Sequence, residues 1–100
     1  MAKRQLFKPA LWSDRFQASY AALSSERQRQ CDSAVIALIK GESSPGLRIK
    51  PIKPDKHFNE ARINEGDRVV FREEGGTLYF VDIVKHDDIG RYGRKPRASP

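Results

Sequence analysis

Apolar residues recur at helical spacing near the start of the chain. Trp12, Phe16, Tyr20 and Leu23 fall at i, i+4, i+8 and i+11, which places them on one face of an α-helix. Ser13 stands close enough to the start of this stripe to cap the first turn, because a serine hydroxyl accepts hydrogen bonds from unpaired helical amides. The pattern therefore predicts an amphipathic helix that begins near Ser13.

A second apolar stripe predicts a second helix after the polar break LSSE. Either Ser24 or Ser25 can cap its start, and Glu26 suits the positive end of the helix dipole. Gly41 is a typical stop signal. The buried face consists of apolar residues about one turn apart, namely Cys31, Ala34, Val35, Leu38 and Ile39. So short a break predicts that the two helices run antiparallel as a hairpin.

The rest of the chain shows the short alternations and turn signals of β-strands. Strands are predicted at residues 47–52, 58–64, 68–72 and 77–84. Prolines mark the first of them as an edge or irregular strand, and the almost continuously apolar last one is predicted to lie centrally. Residues 5–8 are compatible with one further short strand. The predicted fold class is α+β, with the helical hairpin packed on one face of a small antiparallel sheet.

Charge indicates a polyanionic partner. The chain of 100 residues has 19 Lys and Arg against 13 Asp and Glu, which gives a net charge of +6. Such a small basic protein is predicted to bind nucleic acid or an acidic protein. Basic residues are concentrated on both sides of the strand region, at Arg48, Lys50, Lys53 and Lys56 and again at Arg91, Arg94, Lys95 and Arg97. These flanks favour RNA or DNA. We predict one domain over residues 1–93 and a flexible basic tail over 94–100.

Several classes of function are excluded by what the sequence lacks. No apolar run approaches the ~20 residues of a membrane span, and the basic start MAKRQLF does not develop a signal-like apolar region. A single cysteine, Cys31, excludes a disulfide framework and a cysteine zinc site. His57 and His86 lack metal-ligand spacing. The sequence predicts a cytoplasmic protein with no metal and no small-molecule cofactor.

Two arginines and one histidine form the most informative chemical pattern. Arg62 and Arg68 lie on adjacent predicted strands, and His86 stands where the last strand ends. Guanidinium groups grip phosphate oxygens, and imidazole transfers protons near neutral pH. RNA can be cleaved when its 2′-hydroxyl attacks the neighbouring phosphate, provided that a base, charge stabilisation and an acid are supplied. The plainer alternative is that the arginines are solvated or pair with a nearby acid: Glu60, Glu65 or Glu73.

Three segments resemble the RelE/ParE toxin superfamily. They are SPGLRIKPIK at 44–53, RINEGDRVVF at 62–71 and LYFVDIVKHDD at 78–88, and the resemblance covers about residues 16–92. It implies a bacterial toxin that is neutralised by a cognate antitoxin protein, enters the ribosomal A site and cleaves mRNA there. ParE-type relatives share the fold and inhibit DNA gyrase instead. A degenerate member that binds only RNA or an antitoxin is the remaining alternative.

The resemblance also implies roles for individual residues. Arg68 matches the arginine that stabilises the transition-state phosphate in RelE and YoeB toxins, and Arg62 stands where RelE has a catalytic lysine. His86 matches the strand-end histidine that acts as general acid or base in YoeB, a residue that typical ParE proteins lack. Tyr92 is the approximate counterpart of a helix-borne catalytic tyrosine in RelE. The predicted RNA-binding residues are basic: Arg48, Lys50, Lys53, Lys56, Lys85, Arg91 and Arg94.

Two positions depart from the pattern of the family. Asp87 follows the histidine where YoeB has a tyrosine, and Glu60 stands where RelE has a second strand lysine. Additional positive charge at the site must then come from the connector that contains Lys50, Lys53 and Lys56.

Overall fold

A computed structural model describes residues 7–41, 45–54 and 57–92 of the chain. These residues form two α-helices, a five-stranded sheet and two short 3-10 helices. The elements in chain order are β1 (Ala10–Trp12), α1 (Asp14–Ala21), α2 (Ser25–Lys40), a 3-10 turn (Pro45–Leu47), β2 (Lys50–Pro51), β3 (Asn59–Arg62), β4 (Asp67–Glu74), β5 (Thr77–Lys85) and a C-terminal 3-10 helix (His86–Tyr92). No helix in the described residues is long and apolar enough to cross a membrane.

Local signals place both helices where the sequence predicts them. The Ser13 hydroxyl accepts a hydrogen bond from the Phe16 amide at 2.9 Å, and the Ser24 hydroxyl accepts one from the Arg27 amide at 3.3 Å. Ser24 is therefore the cap of α2. The helix ends at Gly41, whose φ of 71° lies in the left-handed region that favours glycine.

The sheet is mixed, so the prediction of a wholly antiparallel sheet is wrong. Its order is β1-β5-β4-β3-β2, and β1 runs parallel to β5 with Trp12 beside Phe80. Trp12 stacks on Phe80 at 4.7 Å between ring centroids and lies 5.4 Å from Phe16. A strand that leads directly into α1 keeps Trp12 next to Phe16, which is why helical spacing assigned it to the helix. The further strand begins at Ala10 rather than at residues 5–8, of which 5 and 6 lie outside the described residues.

The predicted strand at 47–52 is mostly irregular. A 3-10 turn occupies Pro45–Leu47, and only Lys50 and Pro51 pair with β3. Leu47 and Ile52 are nonetheless buried, and Leu47 belongs to the hydrophobic core, whereas Ile49 is 48% exposed. Proline removes the amide that a longer ladder would need.

Both helices and the sheet contribute to one hydrophobic core. Ala61, Val69 and Ile83 face this core from β3, β4 and β5, and the helices supply buried residues, namely Phe16, Cys31, Ala34, Val35 and Leu38. Burial raises the pKa of the Cys31 thiol to about 12, so this cysteine acts as a core residue. A two-residue turn at Gly75 and Gly76, with φ of 59° and 83°, joins β4 to β5 as predicted.

Candidate functional site

The face of the sheet opposite the core carries the charged residues. Side chains alternate along a strand, so the neighbours of the core residues point to this second face, which is only partly open because Glu60, Val70 and Asp82 are buried. The strand register arranges them in two rows. One row runs across Arg62, Arg68 and Val84, and the other runs across Lys50, Glu60, Val70 and Asp82. The candidate site lies on this face.

Arg62 and Arg68 lie directly opposite each other on β3 and β4, as the sequence predicts. Like charges in opposite positions destabilise a strand pair unless other groups compensate them. Glu60 offsets part of the repulsion, since its carboxylate lies 3.7 Å from Arg68 Nε and is only 7% exposed. Arg62 has no ion pair within the described part of the chain and is half-buried.

The guanidinium of Arg68 is fixed by the turn that precedes it. Its Nη1 donates to the backbone carbonyls of Asn64 at 2.8 Å, Glu65 at 3.1 Å and Asp67 at 3.0 Å. The side chain is 13% exposed, so the solvated alternative is wrong for this residue, whereas the pairing with Glu60 is present. Within the described residues Nη2 makes no hydrogen bond. The guanidinium group is therefore held in place by the turn, through Nη1.

The turn itself is anchored to α2 by a buried ion pair. Arg27 donates two hydrogen bonds to Asp67, from Nε at 2.9 Å and Nη2 at 2.7 Å, and the Asp67 side chain is 3% exposed. These bonds and one from Asn64 lower the pKa of Asp67 to about 2, despite its burial. Asn64 also donates to Gln30 on α2. Helix α2 thus positions the carbonyls that hold Arg68.

His86 is attached to the same turn. Its backbone amide donates to the Gly66 carbonyl at 2.8 Å, so His86 and Arg68 are held by neighbouring carbonyls of one segment. The imidazole is 58% exposed, and its Nδ1 lies 3.5 Å from the Asp87 carboxylate. The structure therefore places His86 at the same end of the open face as Arg62 and Arg68.

Tyr92 occupies the second row of the face. Its hydroxyl donates to Asp82 Oδ2 at 2.5 Å, and its ring meets Phe58 edge-on at 5.7 Å. Burial, followed by the hydrogen bond to Asp82, raises the pKa of Tyr92. Arg15 of α1 also reaches the hydroxyl, at 3.4 Å. The Tyr92 hydroxyl is therefore bound to a protein carboxylate.

Of the predicted RNA-binding residues, Lys50 is in register with Glu60 of this face, whereas Lys85 is in register with Asp67, whose side chain bonds to α2. Lys50 and Lys53 are exposed and line an open cleft of ≈ 530 Å³ whose wall includes Glu60. Arg48 is exposed as well. Lys85 and Arg91 are partly neutralised, because Lys85 lies 3.6 Å from Asp67 and Arg91 lies 3.6 Å from Asp88. The remaining two, Lys56 and Arg94, lie outside the described residues.

Two buried carboxylates of the site are not predicted from the sequence. Glu60 and Asp82 are both 5% exposed and lie on either side of Val70 in the second row. Asp82 did carry a signal, because it is the only acid inside the apolar run LYFVDIV. The sequence offers Glu60 as a partner for the arginines, but the alternation of side chains along β3 does not reveal that Glu60 is buried.

An apolar groove separates the two helices on the other side of the molecule. It has a volume of ≈ 400 Å³ and is lined mainly by Trp12, Phe16, Tyr20, Cys31 and Val35. Trp12 is 41% exposed, which is high for so large an apolar side chain. The groove is a surface on which a protein partner could bury apolar side chains.

Solved structures share this architecture, although no family model and no curated protein matches the chain. YafQ from E. coli strain BL21(DE3) superposes with a TM-score of 0.68 at 12% identity, over 82% of this chain and 97% of YafQ. The YoeB/ParE toxin from Agrobacterium tumefaciens gives 0.61 at 18% identity, over 78% and 98%. A chain of the RelB–RelE antitoxin–toxin complex from Methanococcus jannaschii gives 0.65 at 16% identity, over 82% and 96%. The chain therefore has the fold of the RelE/YoeB-like toxins, as its sequence resemblance implies.

Proposed function

We propose that this protein is the toxin of a toxin–antitoxin pair and cleaves mRNA on the ribosome. The observation that carries the proposal is the arrangement of Arg62, Arg68 and His86 around one anchored turn, at one end of the sheet face opposite the core. Two neighbouring guanidinium groups beside an imidazole fit a phosphodiester that is cleaved through its own 2′-hydroxyl.

The reaction divides among the residues as follows. The 2′-oxygen attacks the phosphorus, the bond to the 5′-oxygen breaks, and the products are a 2′,3′-cyclic phosphate and a 5′-hydroxyl. Arg62 and Arg68 neutralise the charge that develops on the phosphate oxygens. His86 donates the proton to the leaving 5′-oxygen, and Glu60, the buried carboxylate of the cleft, accepts the proton of the 2′-hydroxyl.

A cognate antitoxin is the second part of the proposal. Three of the similar structures are toxin–antitoxin complexes by name, two of DinJ–YafQ and one of RelB–RelE. On this chain, an antitoxin segment that placed apolar residues in the helical groove and acidic residues on Arg62 and Arg68 would block RNA. Hydrogen exchange with and without antitoxin tests this masking. Protection at β3, β4 and His86 is expected, and protection confined to distant surfaces would contradict it.

One translation experiment separates the proposed function from its alternatives. Purified protein is added to a reconstituted translation reaction, and mRNA ends are mapped while DNA breaks are measured in a parallel reaction with gyrase. The proposal predicts new mRNA ends that require the ribosome, with intact DNA. DNA breaks without mRNA cleavage would make the protein a gyrase inhibitor, and RNA binding without either product would make it a non-catalytic relative.

A further inference from the structure

Asp82 is a buried acid that the proposed reaction does not use. It lies on β5 opposite Val70 and is 5% exposed, so it needs compensating hydrogen bonds. All of its bonds come from the protein. Oδ1 accepts from the Ser19 hydroxyl at 2.7 Å and from the Ile83 amide at 2.8 Å, and Oδ2 accepts from the Tyr92 hydroxyl.

These bonds fix Asp82 from two sides. Ser19 belongs to α1, which crosses beside β5, and Arg15 of the same helix lies 4.0 Å from Oδ2. Arg15 itself is 66% exposed, so its charge is largely screened. The carboxylate is therefore held mainly by Ser19, and its second oxygen is directed at the C-terminal 3-10 helix.

The C-terminal 3-10 helix is attached to the sheet at both ends. His86 begins it and donates its amide to Gly66, and Tyr92 ends it and donates its hydroxyl to Asp82. None of its residues is fully buried, although the Tyr92 ring packs edge-on against Phe58. Hydrogen bonds at the two ends therefore contribute to how the segment lies on the sheet.

We propose that Asp82 is a positioning residue, which holds Tyr92 and through it sets the orientation of His86 relative to Arg68. In this arrangement the Tyr92 hydroxyl serves as a donor to protein, and proton transfer to substrate is left to His86. The catalytic role of His86 rests on the proposed function, whereas the role of Asp82 and Tyr92 in holding the segment does not rest on it.

The test compares two tyrosine-to-phenylalanine variants. Tyr92→Phe removes the bond to Asp82 and keeps the ring on Phe58. Tyr20→Phe is the matched control, because the Tyr20 hydroxyl also donates to an aspartate, Asp32, at 2.8 Å, but on the helical side of the molecule. Amide exchange followed by NMR is measured for residues 86–92, together with the imidazole signals of His86.

We expect Tyr92→Phe to lose order locally, in residues 86–92. The His86 amide should exchange about tenfold faster, the change that loss of one hydrogen bond to a charged group produces, and the imidazole signals should broaden. Amides of β4 and β5 should keep their protection, which shows that the variant folds. Tyr20→Phe should leave residues 86–92 unchanged. Equal exchange at His86 in wild type and Tyr92→Phe would overturn the proposal.

Kinetics on programmed ribosomes provide the second readout. In Tyr92→Phe the single-turnover cleavage rate should fall about tenfold, while the concentration for half-maximal binding stays the same. Asp82→Asn keeps an oxygen acceptor and should retain more rate than Asp82→Ala. If Tyr92→Phe shows the exchange effect but the wild-type protein cleaves no mRNA, the proposed function is refuted and the positioning role remains. A binding change with unchanged rate would refute the role in orienting His86.

Discussion

The guanidinium of Arg68 is held by the turn that precedes it. Sequence spacing places it opposite Arg62, and the register confirms that placement. Sequence cannot show that three carbonyls of the preceding turn hold its Nη1, because those bonds depend on turn geometry. An arginine whose side chain is only 13% exposed and is held by hydrogen bonds loses little conformational freedom on binding phosphate. It also supports the turn, so its replacement by alanine is expected to destabilise the fold.

His86 provides a test of proton transfer. His86→Gln keeps a polar side chain but removes the titrating nitrogen, so the cleavage rate should fall by about 10²–10⁴-fold. Ribosome affinity should stay the same, because the imidazole is 58% exposed and supports no core packing. His57→Gln is the control, since His57 is exposed and lies outside the anchored turn. Equal losses of affinity and rate would make His86 a contact residue instead.

Replacement of Glu60 tests whether this residue acts as a general base or only as a counterion of Arg68. If it accepts the 2′-hydroxyl proton, Glu60→Gln should lower the single-turnover rate by about 10²-fold or more. If it only balances Arg68, the variant should bind RNA more tightly with an unchanged or higher rate, because a negative charge has been removed from a phosphate site. Rate and affinity measured on the same ribosomal complex decide between the two roles.

At the scale of elements, the helix caps and the glycine turn were predictable because their signals are local. The parallel strand β1 was not, because its pairing with β5 joins residues far apart in sequence. The same reason hides the anchoring of the turn, where Arg27 of α2 reaches Asp67 of β4. Within the site, the positions of Arg62, Arg68 and His86 on the strands could be predicted from strand order. The burial of the nearby carboxylates Glu60 and Asp82 could not.

The anchored turn should make stability depend on acid pH. The folded pKa of Asp67 is about 2, below the ordinary value of 3.8, so its contribution is complete above pH ~4 and is lost as pH falls towards 2. The free energy of unfolding of wild type should therefore drop by about 2 kcal/mol more than that of Asp67→Asn across this interval. Denaturant unfolding at several pH values measures it. Asp88→Asn, in an exposed pair with Arg91, should behave like wild type. Parallel curves for wild type and Asp67→Asn would contradict the role of this ion pair.

At the scale of the whole molecule, a net charge of +6 and an open basic face predict salt-dependent binding to the ribosome. Replacing Lys50 and Lys53 by Gln should flatten the slope of log affinity against log salt by about 1–2, since each phosphate contact releases counterions. Arg29 and Lys40, which are exposed on α2, provide the matched double variant and should leave the slope unchanged. Equal slopes for the two double variants would move the RNA-binding surface away from this cleft.

In the proposed reaction, Arg68 stabilises the scissile phosphate of ribosome-bound mRNA. Arg68→Lys keeps the positive charge and much of the packing but loses the fixed planar donors. Its single-turnover cleavage rate, mapped from mRNA ends in a purified translation reaction, should fall by about 10²–10³-fold. Arg29→Lys should cleave as wild type, and circular dichroism should show that both variants are folded. Full cleavage by a folded Arg68→Lys variant would contradict the account.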